Sequence, residues 1–271
     1  MALLYPGRSF PPTLVKRGFP GANVYEVLAN AAAWDKSDYY LVYPARDDDY
    51  FSAPWWQGAG VTIIDEEGKT DFAQRGQAAA NFIAALREFM PPMIDYDMAS
   101  NLFLSGEASI IVNGPWYIAE LEKAGIDYGI APLPVFSATR LPATPFVGVK
   151  VLMLTKAAET RGSGEAAVNI MQYYTRAEAQ SKLVEANKMI PAHRQVASTI
   201  NLETLPEIAA FIDQATVGQP LPNTPFMNAM WEPITAGLEC LWEGAEPTDA
   251  CLMLIQTQGE ENIAAMKAEM K

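Results

Sequence analysis

The sequence predicts an α/β fold, a mixed sheet flanked by helices, and three observations support it. Short apolar runs of strand character alternate with helical segments through the first half of the chain. At 271 residues, 50% hydrophobic and 19% charged, the chain can bury a substantial core and has an ordinary globular composition. The run Ser109–Val112 ends at Asn113-Gly114-Pro115-Trp116, where Gly and Pro stop a strand and display a large ring at its carboxyl end. Open α/β sheets usually hold their ligands at that end.

Each element follows from local pattern. Residues 1–21 hold four prolines and three glycines and are expected to be extended or loop. A helix is expected over Val24–Ala33, then a strand over Tyr39–Tyr43, which is rich in aromatic and β-branched residues. Arg46–Pro54 reads as an acidic loop. Asp71 is placed to cap a helix running to Met90, with Ala79, Phe82, Ile83, Leu86 and Met90 on one face. Helix Asp97–Leu104 leads into strand Ser109–Val112, and further strands fit Tyr128–Ala131 and Gly148–Leu154. The second half is mainly helical: Glu165–Tyr174, a capping box at Thr175-Arg176-Ala177-Glu178 opening a helix to Asn187, and Leu205–Ala215. A helix starting near Met230, where Pro233 is tolerable in the first turn, precedes a last one capped by Thr248.

Bulk properties exclude several functions. A net charge of −13 argues against nucleic acid or an anionic membrane as partner. No apolar run approaches the roughly 18 residues needed to span a bilayer. The first residues lack the basic start and apolar core of a signal peptide. No Cys/His grouping has zinc-like spacing, and neither metal nor cofactor is expected. The single histidine, His193, stands in a loop-like stretch without a neighbouring nucleophile, so it reads as structural. Cys240 and Cys251 are either buried free thiols or a disulfide stapling a helical hairpin, which would need an oxidising compartment.

Five blocks in order carry a resemblance: Asp48-Asp49-Tyr50-Phe51, Asn113-Gly114-Pro115-Trp116, Tyr128–Pro134, Phe146-Val147-Gly148-Val149, and Leu221–Pro225 followed by Met227 and Trp231. Asp95-Tyr96 adds an aromatic position. Together they resemble the solute-binding proteins of ABC sugar importers, of the maltose/maltodextrin-binding type. That resemblance implies a periplasmic-binding-protein-like lobe, with residues 1–150 and 206–271 as the C-terminal ligand-binding lobe. Residues 151–205 would be a helical remnant of the other lobe, most of which has no counterpart here. The chain would then be a fragment, a mis-started gene product or half of a split protein whose missing lobe a separate chain supplies.

The implied function is non-catalytic binding of maltose, maltodextrin or a related oligosaccharide for delivery to a membrane permease, in the periplasm or outside the cell. Ligand-binding residues implied are Asp48, Tyr50, Phe51, Tyr96, Trp116 and Trp231. The chemistry is apt, since flat rings cover the C–H faces of a pyranose and carboxylates accept from its hydroxyl rim. Trp55 and Trp56, close after the acidic loop, could also line a cleft. With one wall only, binding by this chain is expected to be weak, and an apolar patch around Val168, Met171 and Tyr174 is expected to be exposed. Two other classes stay open. A glycoside hydrolase would need a carboxylate pair such as Asp48 and Glu232; a structural or interaction module would need no sugar at all. A calcium loop at Asp47–Asp49 lacks the glycine and distal glutamate of an EF-hand.

Overall fold

A computed structural model describes residues 1–6, 22–34, 38–200, 203 and 205–270. The strand β1 (Ala2–Pro6) is central in a three-stranded antiparallel sheet, flanked by β2 (Ile111–Asn113) and β3 (Tyr128–Ala131). Leu3 lies opposite Val112 on one side and Ala131 on the other. The stretch expected as a strand at Tyr39–Tyr43 forms only isolated parallel bridges, Val42 to Ile111 of β2 and Tyr39 to Ala108 just before it. That parallel neighbour makes the sheet mixed, as expected.

Helices enclose this sheet. The first, α1 (Val24–Ala33), has the expected bounds, and Asn23 caps it by accepting from the Tyr25 and Glu26 amides at 3.1 and 3.2 Å. The acidic stretch is not all loop. Asp48 caps a helix, α2 (Asp49–Gly58), whose residues Phe51 to Gly58 are all buried. Pro54 sits inside it, and its carbonyl accepts from the Thr144 amide at 3.3 Å. The acidic run misled because the hydrophobic residues after it outweigh both the charges and the proline once that helix is buried.

The helix expected from Asp71 to Met90 is broken at Gly76 into α3 (Phe72–Arg75) and α4 (Gln77–Leu86), followed by a 3-10 turn. A side chain at Gly76 would collide with Leu252, so the break lets a later helix approach. Ala79, Phe82, Ile83, Leu86 and Met90 are buried as their spacing required. Asp71 precedes α3 without capping it; its carboxylate accepts from the Thr62 amide at 2.7 Å instead.

Next come α5 (Tyr96–Leu104), capped by Asp95 through the Met98 amide, and α6 (Ile118–Lys123). A two-residue strand β4 (Phe146–Val147) pairs in parallel with β5 (Gln219–Pro220). Beyond Val147 the expected strand to Leu154 does not form: the segment has no ladder, and Val149 and Met153 are 73% and 78% exposed. Strand propensity alone cannot hold a segment that no sheet edge meets.

The helical half comprises α7 (Lys156–Thr160), α8 (Gly164–Tyr174), α9 (Ala177–Asn187), α10 (Arg194–Thr199) and α11 (Pro206–Thr216). The expected capping box is absent. The Thr175 hydroxyl donates back to the Met171 carbonyl at 2.9 Å, and Glu178 pairs with Lys182 at 2.9 Å. Val184, Val196 and Ile208, joined by Leu205 and Ile212, form a small separate core. No residue of α8 is buried; of the apolar patch expected from sequence Val168 and Tyr174 are exposed and Met171 is half-buried, and Ile170 and Tyr173 extend the exposed surface.

The chain closes with α12 (Trp231–Glu243) and α13 (Thr248–Glu269). Pro233 falls in the first turn of α12, as expected. Gly244, at φ 65°, ends that helix in the left-handed conformation that glycine adopts cheaply. Thr248 is the first residue of α13 rather than its cap, and its hydroxyl receives Gln77 at 2.6 Å. Gly237 lets Ile255 approach closely, and Cys240 and Cys251 are joined with Cα atoms 5.6 Å apart. Of the two readings left open for the cysteines, the staple is the one present. Gln256 fastens α13 to the core, donating to the Thr70 carbonyl at 2.9 Å and accepting from the Ala73 amide at 3.2 Å.

Two measurements follow. Replacing both cysteines by serine should lower stability in urea by about 2–3 kcal/mol, the loop-entropy value for so short a crosslink; an unchanged midpoint would show the bond to be stability-neutral. A dye that reports apolar surface should bind the native protein, and the Met153→Lys, Ile170→Lys double variant should lose most of that signal without a change in melting temperature.

Candidate functional site

Three chain crossings bring aromatic rings together. The amino end of α2 carries Tyr50 and Phe51, and its position is fixed by Asp48, which accepts from the Phe51 amide at 2.9 Å. The carboxyl end of β2 runs through Asn113 and Gly114 into a 3-10 turn at Pro115–Tyr117, which presents Trp116. Tyr117 points the other way, buried, donating to the Ser100 carbonyl at 2.9 Å. A second 3-10 turn, Pro225–Ala229, delivers Trp231 as the first residue of α12.

These rings form a continuous ribbon. Tyr96 meets Phe51 at 5.8 Å between centroids, and Phe51 meets Trp116 at 6.3 Å and 83°. Trp116 lies 6.4 Å from Tyr50, Tyr50 lies 6.1 Å from Phe146, and Phe146 meets Trp231 at 6.3 Å and 82°. Tilted and edge-on arrangements at such distances are the favourable ones for aromatic pairs. Phe51 and Phe146 are buried, Tyr50, Tyr96 and Trp231 are half-buried, and Trp116 is 46% exposed. The two phenylalanines therefore back the ribbon while the other rings reach its surface.

Of the residues expected from sequence, Tyr50, Phe51, Tyr96 and Trp116 touch directly. Trp231 joins only through Phe146. That phenylalanine was missed as a site residue: it lies in the block read as a crossing between lobes, and no local pattern marks it as ring support. Trp55 and Trp56 do not line the ribbon; both are fully buried, against Phe82 at 5.1 Å and Phe72 at 5.2 Å.

Carboxylates precede Tyr50 directly in the chain. Arg46 pairs with Asp47 at 3.1 Å and Glu239 at 3.2 Å, and the Thr235 hydroxyl donates to Asp49 at 3.3 Å. Arg46, Thr235 and Glu239 were also not foreseen, because nothing local links residues so far apart in sequence. Burial, reinforced by the Asp48 charge, pushes the Asp49 carboxyl up to about 6. Burial also raises Asp48, against the pull of the backbone amides it accepts from. Glu232 lies exposed in the first turn of α12, while Asp48 is engaged as a helix cap. Among the described residues no group of His, Cys, Asp and Glu is arranged to hold a metal ion, and no helix is long and apolar enough to cross a membrane.

Comparison with known proteins bears on this arrangement. A maltotriose-binding protein of Pyrococcus abyssi is 28% identical over 240 residues, covering 87% of this chain and 52% of its own length. A galactooligosaccharide-binding protein of Bacillus subtilis is 27% identical over 155 residues, covering 57% and 36%. A maltooligosaccharide ABC transporter solute-binding lipoprotein of Streptococcus pneumoniae is 27% identical over 194 residues, covering 68% and 45%. The chain thus spans about half the length, or less, of the curated relatives it matches. In fold it is similar to the maltose/maltodextrin-binding domain MalE from Bdellovibrio bacteriovorus, solved bound to maltotriose. The TM-score is 0.80 at 24% identity, over 97% of this chain and 70% of that one. The sequence profile described as bacterial extracellular solute-binding protein matches residues 14–210, and the chain belongs to that family.

Proposed function

We propose that the aromatic ribbon is one wall of a malto-oligosaccharide site, and that the chain acts without catalysis in sugar uptake by an ABC transporter. The observation that carries this reading is the row from Tyr96 to Trp231, backed by buried phenylalanines and open at Trp116. Exposed indole and phenol rings suit the C–H faces of sugar rings, and Asp48 and Asp49 suit the hydroxyl rim. Two of the three relatives named above bind malto-oligosaccharides by their names and the third a galactooligosaccharide, which supports an oligosaccharide ligand, with an α-glucan as our choice. A membrane permease is the proposed recipient. A location outside the cytoplasm agrees with the family's description and with the Cys240–Cys251 bond, which persists in oxidising compartments.

Residues 1–150 with 206–271 are the proposed ligand-binding lobe. The opposing wall would come from polypeptide outside the described residues, on this chain or another. The apolar surface from Val149 to Tyr174 is where it would pack. With a single wall, affinity for maltotriose should be about millimolar or weaker. Calorimetry should find it there, and Trp116→Ala should reduce it by about tenfold. Micromolar affinity of the chain alone would sink the one-wall reading; no response at saturating maltotriose, or release of reducing ends, would sink the sugar-binding one.

The Asp49 carboxyl gives a test of the site's electrostatics. Its value in the folded protein, about 6, lies above the ordinary aspartate value near 4. Between those two pH values the native state holds more protons than the unfolded chain. Ionisation of Asp49 therefore lowers stability progressively as pH rises from about 4 to 6. Asp49→Asn should raise the melting temperature above wild type at pH 7, with the gain vanishing near pH 4; a gain equal at both pH values would refute the assignment.

A further inference from the structure

The surroundings of Trp116 do more than display a ring. A side chain added at Gly114 would overlap three adjacent atoms of the Trp116 six-membered ring at once, so the indole lies face-down on the glycine. Gly114 has φ −107°, a conformation open to any residue, so glycine is needed there for room and not for backbone freedom. At its other end the indole N–H donates to the Tyr96 hydroxyl at 3.2 Å. Tyr96 is in turn set edge-on against buried Phe51 at 62°, and Phe51 meets the same indole. One face and the polar edge of Trp116 are thus taken up within the protein.

We infer that Tyr96 and Gly114 are positioning residues that make Trp116 a one-faced platform. This rests on the sugar-binding reading and specifies it: the pyranose stacks only on the face turned away from Gly114. Tyr96 contributes by fixing that plane, rather than by covering a sugar of its own. A free indole on a 3-10 turn would sample several side-chain rotamers, and each would have to be abandoned on binding. The hydrogen bond and the glycine cradle remove that loss before the ligand arrives. The arrangement also orients the indole N–H inward, so it is not a donor to the sugar; recognition at this ring is by shape and apolar contact, and hydroxyl discrimination falls to the carboxylates.

The test uses the whole chain, the variants Tyr96→Phe and Gly114→Ala, and maltotriose as probe. The indole N–H signals are followed by nitrogen-15 NMR, with Trp116→Phe identifying the Trp116 signal. In Tyr96→Phe that signal alone should shift and exchange faster with water, the signals of buried Trp55 and Trp56 staying in place at an unchanged melting temperature. Maltotriose affinity should fall roughly three- to tenfold, as expected for loss of one hydrogen bond. Gly114→Ala should move the same signal and weaken binding further; should it fail to fold, Tyr96→Phe decides alone. An unmoved Trp116 signal in Tyr96→Phe, or wild-type affinity despite a moved signal, overturns the positioning role. A wild-type chain indifferent to maltotriose overturns the sugar reading, while the N–H result still reports whether the ring is pinned.

Discussion

Burial of α2 is the constraint on which the remaining arrangement depends. From Phe51 to Gly58 every residue is buried, including Trp55 and Trp56, the largest side chains of the core. A helix enclosed on all sides has no freedom to slide or turn without opening cavities across the core, at several kcal/mol each. Its first turn therefore stands in one place, and Tyr50 and Phe51 stand with it. Asp48 completes the constraint by satisfying the Phe51 amide at the point where the buried helix meets solvent. The site is thus an outgrowth of the core: the same helix that packs Trp55 on Phe82 holds Tyr50 beside Trp116.

Much of this could be read from the sequence, and the failures have identifiable causes. Val24–Ala33 was legible from its pattern alone, and the cap that Asn23 supplies was not used. Trp116 was legible because Gly-Pro after an apolar run leaves few alternatives. The Arg46–Pro54 stretch misread because local polarity and a proline were weighed before the apolar run that follows, whereas tertiary burial decided the outcome. Gly148–Leu154 failed in the opposite sense, since its strand propensity is strong and the partner edge is lacking among the described residues. Thr175 and Asp71 show that a residue type fit for capping can satisfy a different neighbour. Phe146, Arg46, Thr235 and Glu239 were invisible for another reason: their roles exist only through contacts between distant parts of the chain.

The division of labour among the rings follows from exposure. Phe51 and Phe146 are buried, yet Phe51 touches Tyr96, Trp116 and Tyr50, and Phe146 is the ring that joins Trp231 to Tyr50. Both phenylalanines stand in blocks read from the sequence, Phe51 as a ligand-binding residue, but nothing in those blocks marks a ring as a buried support.

The segment Val149–Leu154 has a consequence in concentrated solution. Six consecutive residues, five of them apolar, have no ladder and are open to solvent. Such an edge can template its own kind, with one copy's amides meeting another's carbonyls in a growing stack. Lys150 is the single charge within it, and Lys156 the next along the chain. These two lysines are the charges placed where gatekeeper residues oppose such pairing.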